Sequence, residues 1–487
     1  MLIRRSVRAG AGSRRPATLE AFLISMSTEL HEPQHTEDAQ LRRDLATAAL
    51  PVLPASRPRI VIADLVVLLG VMFASLPIRF GFTLDKPFLE YLAGFSLATV
   101  IHLTVSYFGG LYEAEPRLAA RLWLPRVGVL TGIALLVVNT ISLISGWFLI
   151  PRGNLPIVFV LVSIGLTTNR HVARRLRTRR EGKARILVVG EPDEAEIAVE
   201  HLIRLERGTE IAGRTASVAN LIEDVAATQA TDVLLMPSDA VERIFPFPLE
   251  ALESRRIGVF QRIGPADTLL GLQRSRQIAG MPFIVVREHA LPDNRAYFKR
   301  ILDLLYVLAA APLLVVVGLA AALYVRVTAG PGILLRQERV GRFGVPFTLY
   351  KFRTMITDAE ADTGAVLSSD DDPRIIPGLR WVRRTRMDEI PQFINVLKGQ
   401  MSIVGPRPER PEFTAEFESV IPGYGRRHDI PPGITGLAQV QGAYDTDPMF
   451  KLGHDLQYLV NWSPLLDLEI IGQTVLTVLR GFPRSDS

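Results

Sequence analysis

The run Ile301–Val325, ILDLLYVLAAAPLLVVVGLAAALYV, constrains this chain more than any other stretch. It exceeds the ~20 apolar residues that carry a helix across a bilayer. Yet Pro312 stands near its centre, Lys299 and Arg300 precede it, and Arg326, Arg336 and Arg339 follow it. Basic residues mark the cytoplasmic side of a membrane segment, so both flanks of this one read as cytoplasmic. A proline within a helix removes a backbone hydrogen bond and costs roughly 3 kcal/mol where nothing compensates, which favours a kink. A re-entrant helix over 301–325, bent at Pro312 and returning to the leaflet it entered, satisfies both facts.

Four more apolar segments precede it, at approximately Ile60–Leu76, Phe88–Phe108, Val127–Ile150 and Leu155–Thr168. They read as a bundle of four transmembrane helices over 58–170. Arg42, Arg43, Arg57 and Arg59 lie before the first, and Arg117, Arg121 and Arg126 lie between the second and third. The basic run RHVARRLRTRREGKAR follows the fourth. That pattern places the amino terminus, the middle loop and everything after Arg170 in the cytoplasm. Residues 1–57, polar and Arg-rich with no signal-peptide pattern, read as a flexible cytoplasmic tail. Hydrophobic residues at 48% of 487, and no cysteine, fit a membrane protein with its working parts in a reducing compartment. The net charge of +5 sits largely beside apolar runs, which explains it as membrane flanking and not as nucleic-acid binding.

Composition changes at about residue 183. RILVVG reads as a buried parallel strand followed by the helical DEAEIAVEHLIRLE, and DVLLMP and IGVFQRIG as later strands, giving a Rossmann-like α/β domain over 183–290. The residues after Gly190 are EPDEAE, which lack the two further glycines of a dinucleotide fingerprint. A scaffolding or regulatory domain without a nucleotide is the expectation.

Residues 295–487 read as a mainly α catalytic domain of short helices and loops, without a long sheet. In DPRIIPGLRWVRRTRMDEIPQFINVLKGQMSIVGPRPER, Asp388 and Glu389 lie amid Arg374, Arg380, Arg383, Arg384, Arg386 and Arg407. Two prolines flank Arg407 and can aim its guanidinium at a phosphate. PPGITGLAQVQG, which includes Gln439, is a second loop whose glycines let backbone amides approach an anion. QERVGRFGVPFTLYKFRTM adds Arg339, Arg342, Lys351 and Arg353. Many cations around one Asp-Glu pair suit a diphosphate with bound Mg²⁺. The eight histidines show no zinc-binding spacing.

KRILD, KFRTM followed by DAE, DPRI, MDEIPQFINVLKGQMSIVGPRP, PGITGLAQVQG and DLQYLVNWSPLLDLEIIGQT occur in this order from about Arg295 onward. In these motifs the chain resembles the bacterial sugar transferases, the monotopic phosphoglycosyl transferases. Its amino-terminal helices and α/β domain resemble those of the long exopolysaccharide-type members, similar to undecaprenyl-phosphate glucose or galactose phosphotransferases. The resemblance implies transfer of a sugar-1-phosphate from a UDP-sugar to undecaprenyl phosphate with release of UMP, at the cytoplasmic face of the bacterial inner membrane. It implies that Asp388 is the nucleophile of a covalent phosphosugar intermediate and that Glu389 helps hold Mg²⁺. Lys351, Arg353, Arg339, Arg407 and Gln439 are then candidate substrate contacts. Lys299, Arg300 and Asp303 either position the lipid phosphate or anchor the helix. A break at Pro312 matches the family's re-entrant helix, and a homodimer is an expectation for the long members.

The chain departs from the family at Ala311, where a serine is usual, and in TRMDEIP, where TSLDELP is common, so that Arg386 replaces a small polar residue. Two other readings compete. A membrane-anchored nucleotide-sugar dehydratase needs a full glycine fingerprint and usually Tyr-x-x-x-Lys, and no tyrosine here has lysine four positions later. A membrane scaffold with a degenerate transferase domain does not account for an intact dyad and its cations.

Overall fold

The computed structural model describes residues 58–480, apart from 82–85, 114–116, 119–122, 148, 207, 265–266, 268–275, 287–290, 358–371 and 442–446. The tail expected over 1–57, Arg121, the DAE motif at 358–360 and Gly442 lie outside the described residues. Among the described residues, five helices are long and apolar enough to cross a membrane. With the sheet and the helical units that follow, they make this a multidomain membrane protein.

The first four helices are α1 (Pro58–Phe80), α2 (Phe88–Phe108), α3 (Trp123–Ser145) and α4 (Leu155–Glu181). They share one core, in which Leu68, Met72, Phe95, Val127, Val138, Val158 and Val162 are buried. Ile62, Val66, Leu89, Val129, Leu136 and Ile144 remain exposed on the outer faces. A helix group that is apolar inside and out suits a lipid surround. One polar cluster holds it internally. Arg170 donates to both carboxylate oxygens of the fully buried Asp64, at 2.9 and 2.7 Å. The Tyr112 hydroxyl and Asn169 donate to the same carboxylate at 2.9 and 3.1 Å. Two boundaries differ from the sequence reading. α3 runs from Trp123 to Ser145 instead of Val127 to Ile150, and α4 continues past Thr168 to Glu181. The Arg-rich run is therefore helical: arginine is a good helix former, and Arg177 pairs with Glu181 one turn on, at 2.9 Å. Gly182, at φ +79°, stops the helix where a side chain would be strained.

Next come β1 (Ala184–Val189), α5 (Pro192–Leu205), β2 (Thr209–Thr215), α6 (Leu221–Thr228) and β3 (Asp232–Leu235). They continue with α7 (Ala240–Ile244), α8 (Phe247–Ser254), β4 (Gly258–Arg262), β5 (Arg276–Ile278) and β6 (Met281–Val285). The sheet order is β2-β1-β3-β4-β6-β5. The first four strands pair in parallel, and β6 and β5 close the edge antiparallel. The expected strands are β1, β3 and β4. In such a sheet a nucleotide would sit where the strand order reverses, beyond the carboxyl ends of β1 and β3. There Gly190 packs closely on Met236, and a Cβ on the glycine would lie 2.7 Å from the Met236 Cβ.

α9 (Asp293–Ala329) is one 37-residue helix that includes Pro312 and extends past both ends of the 301–325 segment. Its middle is exposed and apolar: Leu308, Leu313, Val316, Leu319 and Leu323 point outward. Both of its ends belong to one globular unit. At the near end Lys299, only 3% exposed, donates to Asp467 Oδ2 at 3.0 Å. The Tyr458 hydroxyl and Trp462 Nε1 also donate to Asp467, at 2.6 and 3.1 Å. Asp303 accepts from Ser402 Oγ and the Ile403 amide at 2.9 and 3.0 Å, and Arg300 donates to the carbonyls of Val396 and Leu397. Past Pro312, Ala321 and Val325 pack with Phe352, Leu379 and Val382. Tyr458 and Trp462 are thus core residues of the helix foot.

The remaining elements are β7 (Leu334–Val340), β8 (Pro346–Phe352), α10 (Arg380–Arg384), α11 (Gln392–Leu397) and β9 (Ser402–Val404). After them come α12 (Pro411–Val420), β10 (Gly433–Thr435), α13 (Leu437–Gln441), α14 (Pro448–Asn461) and α15 (Pro464–Arg480). The hairpin β7–β8, seven residues on each side, corrects the expectation of helices and loops alone. β9 and β10 form a short parallel pair.

The foot of α9 generates a prediction. Asp467→Ala strands a buried ammonium and two donors, so it should cost about 3–5 kcal/mol. The joint replacement Lys299→Met with Asp467→Leu should recover much of that loss. Thermal unfolding of the detergent-solubilised full chain measures both; equal losses in the single and joint variants would refute the pairing.

Candidate active site

Asp388 and Glu389 lie in the 3-10 turn Met387–Glu389, between α10 and α11, and both are buried. Arg386 opens the turn in the left-handed conformation at φ +57°, which a long side chain adopts at a cost. Pro391 then leads into α11. Asn395 on α11 fixes the adjoining strand β8, accepting from the Tyr350 amide at 3.2 Å and donating to the Thr348 carbonyl at 2.7 Å. This brings Lys351, the next residue of β8, over the turn.

Three cations converge on one atom, Glu389 Oε1. Lys351 Nζ lies 3.2 Å away, Arg386 Nη1 3.5 Å and Arg407 Nη2 3.7 Å. Arg407 is delivered by a tight backbone crossing. The Gly405 amide donates to the Thr435 carbonyl and the Gly433 amide to the Pro406 carbonyl, each at 2.8 Å. A Cβ at Gly433 would fall 2.1 Å from the Gly405 nitrogen, so only glycine permits this approach. Arg339 supports the same loop, donating to the Pro408 carbonyl at 3.1 Å and to Gln337 at 2.6 Å.

Electrostatics separate the two acids. Burial opposes the charge on Glu389, but Lys351, Arg407 and Arg386 overcome it and lower its pKa to about 2. Burial and the neighbouring Glu389 charge push Asp388 up to about 6, despite Lys351, Arg386 and Arg383. Burial also lowers Lys351, against the pull of Glu389. The pair therefore consists of one firmly ionised carboxylate beside one poised near neutrality. Asp388 Oδ1 is buried with no hydrogen-bond partner.

Of the residues singled out in the sequence, Asp388, Glu389, Lys351 and Arg407 meet here. Arg353 instead donates to the Ala329 carbonyl at the end of α9 and lies 3.5 Å from Thr357 Oγ1. Gln439 donates to the Ile434 carbonyl at 3.4 Å, and its Oε1 is buried without a partner. Lys299, Arg300 and Asp303 are engaged at the helix foot, and Pro312 lies within α9. Arg386 was missed as a site residue, although its departure from a small polar type marked it. Among the described residues, no three or more acidic or histidine side chains group as metal ligands. A metal here would have the Glu389 carboxylate as its protein donor. Mg²⁺ characteristically takes one or two carboxylates and completes its shell with water and phosphate oxygens, so this donor set fits.

The carboxyl-terminal unit, residues 294–481, matches the family model described as bacterial sugar transferase. An N-acetylgalactosaminephosphotransferase of Aeromonas hydrophila, acting with UDP-N-acetylgalactosamine and undecaprenyl phosphate by its name, is 40% identical over 190 residues. A UDP-glucose:undecaprenyl-phosphate glucose-1-phosphate transferase of Klebsiella pneumoniae is 38% identical over 218 residues. These matches cover 38% and 43% of this chain and 45% of each relative, so the chain matches less than half the length of either. The sugar transferase EpsL of Bacillus subtilis, itself uncharacterised, is 39% identical over 186 residues, which are 37% of this chain and 87% of that protein. With the dyad, its cations and the long apolar helix in one unit, the chain belongs to the bacterial sugar transferase family.

Proposed function

We propose that this protein transfers a sugar-1-phosphate from a UDP-sugar to undecaprenyl phosphate, releasing UMP, as the first step of building a surface polysaccharide. The observation that carries the reading is the buried pair itself. Glu389 gathers three cations at the surface a diphosphate would approach, and Asp388 beside it keeps one oxygen free of hydrogen bonds. The names of the relatives support the substrate class, a UDP-hexose or UDP-N-acetylhexosamine and a polyprenyl phosphate.

In this mechanism Lys351, Arg386 and Arg407 bind the diphosphate and stabilise charge on the departing UMP. Asp388 Oδ1 attacks the sugar-linked phosphorus. A bond forms between that oxygen and phosphorus, the bond to the bridging oxygen breaks, and UMP leaves with the electron pair. An oxygen of the lipid phosphate then attacks the same phosphorus and restores the Asp388 carboxylate. Glu389 would hold Mg²⁺, which would supply further neutralisation of the diphosphate when bound.

The membrane arrangement belongs to the same proposal. α9 enters the cytoplasmic leaflet of the inner membrane and returns, with α1–α4 spanning beside it. Support comes from its exposed apolar middle and from two ends that dock on one unit. Such a helix holds the dyad at the headgroup level, where a lipid phosphate can reach it.

Two predictions follow from the site. Asp388→Asn should reduce UMP release by roughly 10³-fold or more while leaving UDP-sugar binding within a few-fold, because it removes the nucleophile and keeps the cations. Intact-mass analysis of quenched wild type should show a phosphosugar adduct that the variant lacks. A variant with wild-type turnover would sink the covalent route. Secondly, the nucleophile must be ionised, so kcat/KM, which reports the free enzyme, should fall as pH drops through about 6. Arg386→Ser removes a cation that favours the ionised form, so it should move this acid limb to higher pH. A limb that stays in place, or moves down, contradicts the assignment.

A further inference from the structure

The central α/β unit packs Met236 against Gly190 where its strand order reverses. It also makes a specific buried joint with the carboxyl-terminal unit, at the 3-10 turn Tyr424–Asp429. Arg426 of that turn is 3% exposed, and its guanidinium lies 5.3 Å from the Phe245 ring. Its Nη2 donates to the Pro246 carbonyl at 3.3 Å and lies 3.6 Å from Glu253 Oε2. Gly423 packs so closely that a Cβ there would fall 2.4 Å from the same ring.

The next residue faces the other way. Arg427, equally buried, pairs with Asp455 Oδ2 at 2.8 Å and donates to the Tyr424 hydroxyl. It also donates to the backbone carbonyl of Arg407 at 3.1 Å. Arg342 Nε holds the end of the turn through the Asp429 carbonyl at 3.2 Å. One short turn therefore grips the α/β unit with Arg426, and with Arg427 it grips the loop whose side chain reaches Glu389.

We propose that the α/β unit is a brace for the active site: Phe245 and Glu253 seat the turn, and Arg427 is a positioning residue that fixes Arg407 over the dyad. Shifts of about 1 Å in a charged group can cost on the order of 10²-fold in rate, so a carbonyl held by a buried guanidinium is a sensitive point of control. The activity readout of this proposal rests on the transferase reading above.

The test uses the full chain in nanodiscs, with kcat and KM for UMP release and hydrogen exchange over residues 404–410 and 423–429. Phe245→Ala and Glu253→Lys should each lower kcat roughly 10-fold and raise exchange in both segments. Glu253→Gln, which keeps the shape and an acceptor toward Arg426, should retain more of kcat than Glu253→Lys. The decisive comparison repeats Phe245→Ala in an Arg407→Lys background. A brace that acts through Arg407 predicts little further loss there, whereas general destabilisation predicts the same factor in both backgrounds. Equal factors, or unchanged exchange over 404–410 in folded Phe245→Ala protein, would overturn the proposal. If wild type releases no UMP, the transferase reading fails, and the exchange data still decide the brace.

Discussion

A single carboxylate oxygen, Oε1 of Glu389, holds together three parts of the chain that are remote in sequence. Lys351 arrives on a strand, Arg386 from a left-handed residue and Arg407 from a loop between prolines. A buried carboxylate is stable only when paired, and each of these cations would be costly to bury without it. The dependence is mutual, so the turn, the strand and the loop are locked in one arrangement. Left-handed backbone at Arg386 costs on the order of 1–3 kcal/mol, which the ion pairing at Glu389 offsets. Burial, together with the charge on Glu389, raises the pKa of Asp388, so the acid that organises the site also acts on its neighbour.

The second constraint is the apolar length of α9. A straight helix of this size would be roughly 55 Å long, well beyond a ~30 Å hydrocarbon core. Lys299, Arg300 and Asp303 bind one end to segments 396–403 and 467, while Ala321 and Val325 pack against 379 and 382 at the other. The exposed leucines and valines between these anchorages have no protein cover. Lipid is the environment that such a surface fits, and a unit attached at both ends stays close to it. The foot of the helix is built from a buried ammonium and a carboxylate because those groups, fully bonded, fix its orientation more strictly than apolar contacts do.

Much of this was legible in the residues, and the limits have physical causes. Hydropathy is a local property, so the apolar helices and the strands β1, β3 and β4 could be read directly. The basic run after Thr168 marks a membrane flank by its charge, and the fourth helix continues into it because arginine is a good helix former. The hairpin β7–β8 was missed because LLRQERV and PFTLYKF mix charged and apolar residues without clean alternation. At the site the residue types were readable but their destinations were not. Lys351 and Arg353 lie two apart on one strand end, yet the first meets Glu389 and the second meets the carbonyl of Ala329. Lys299 and Asp467 are 168 residues apart, and no local pattern links them. The approach of Gly405 to Gly433 decides where Arg407 points, and that crossing exists only in the folded chain.

Charge balance ties these features to the chemistry. The groups acting on the pair are Lys351, Arg383, Arg386 and Arg407, four cations against two carboxylates when both acids are ionised. That surplus of positive charge suits an anionic ligand. Arg386 and Arg407 are the more exposed of Glu389's three partners, so they are the cations that an arriving anion meets first. Lys351, buried deeper, is the partner nearest to Glu389. The deeper pair thus fixes the site, and the two outer guanidiniums, each about a third exposed, are the part of it that faces solvent.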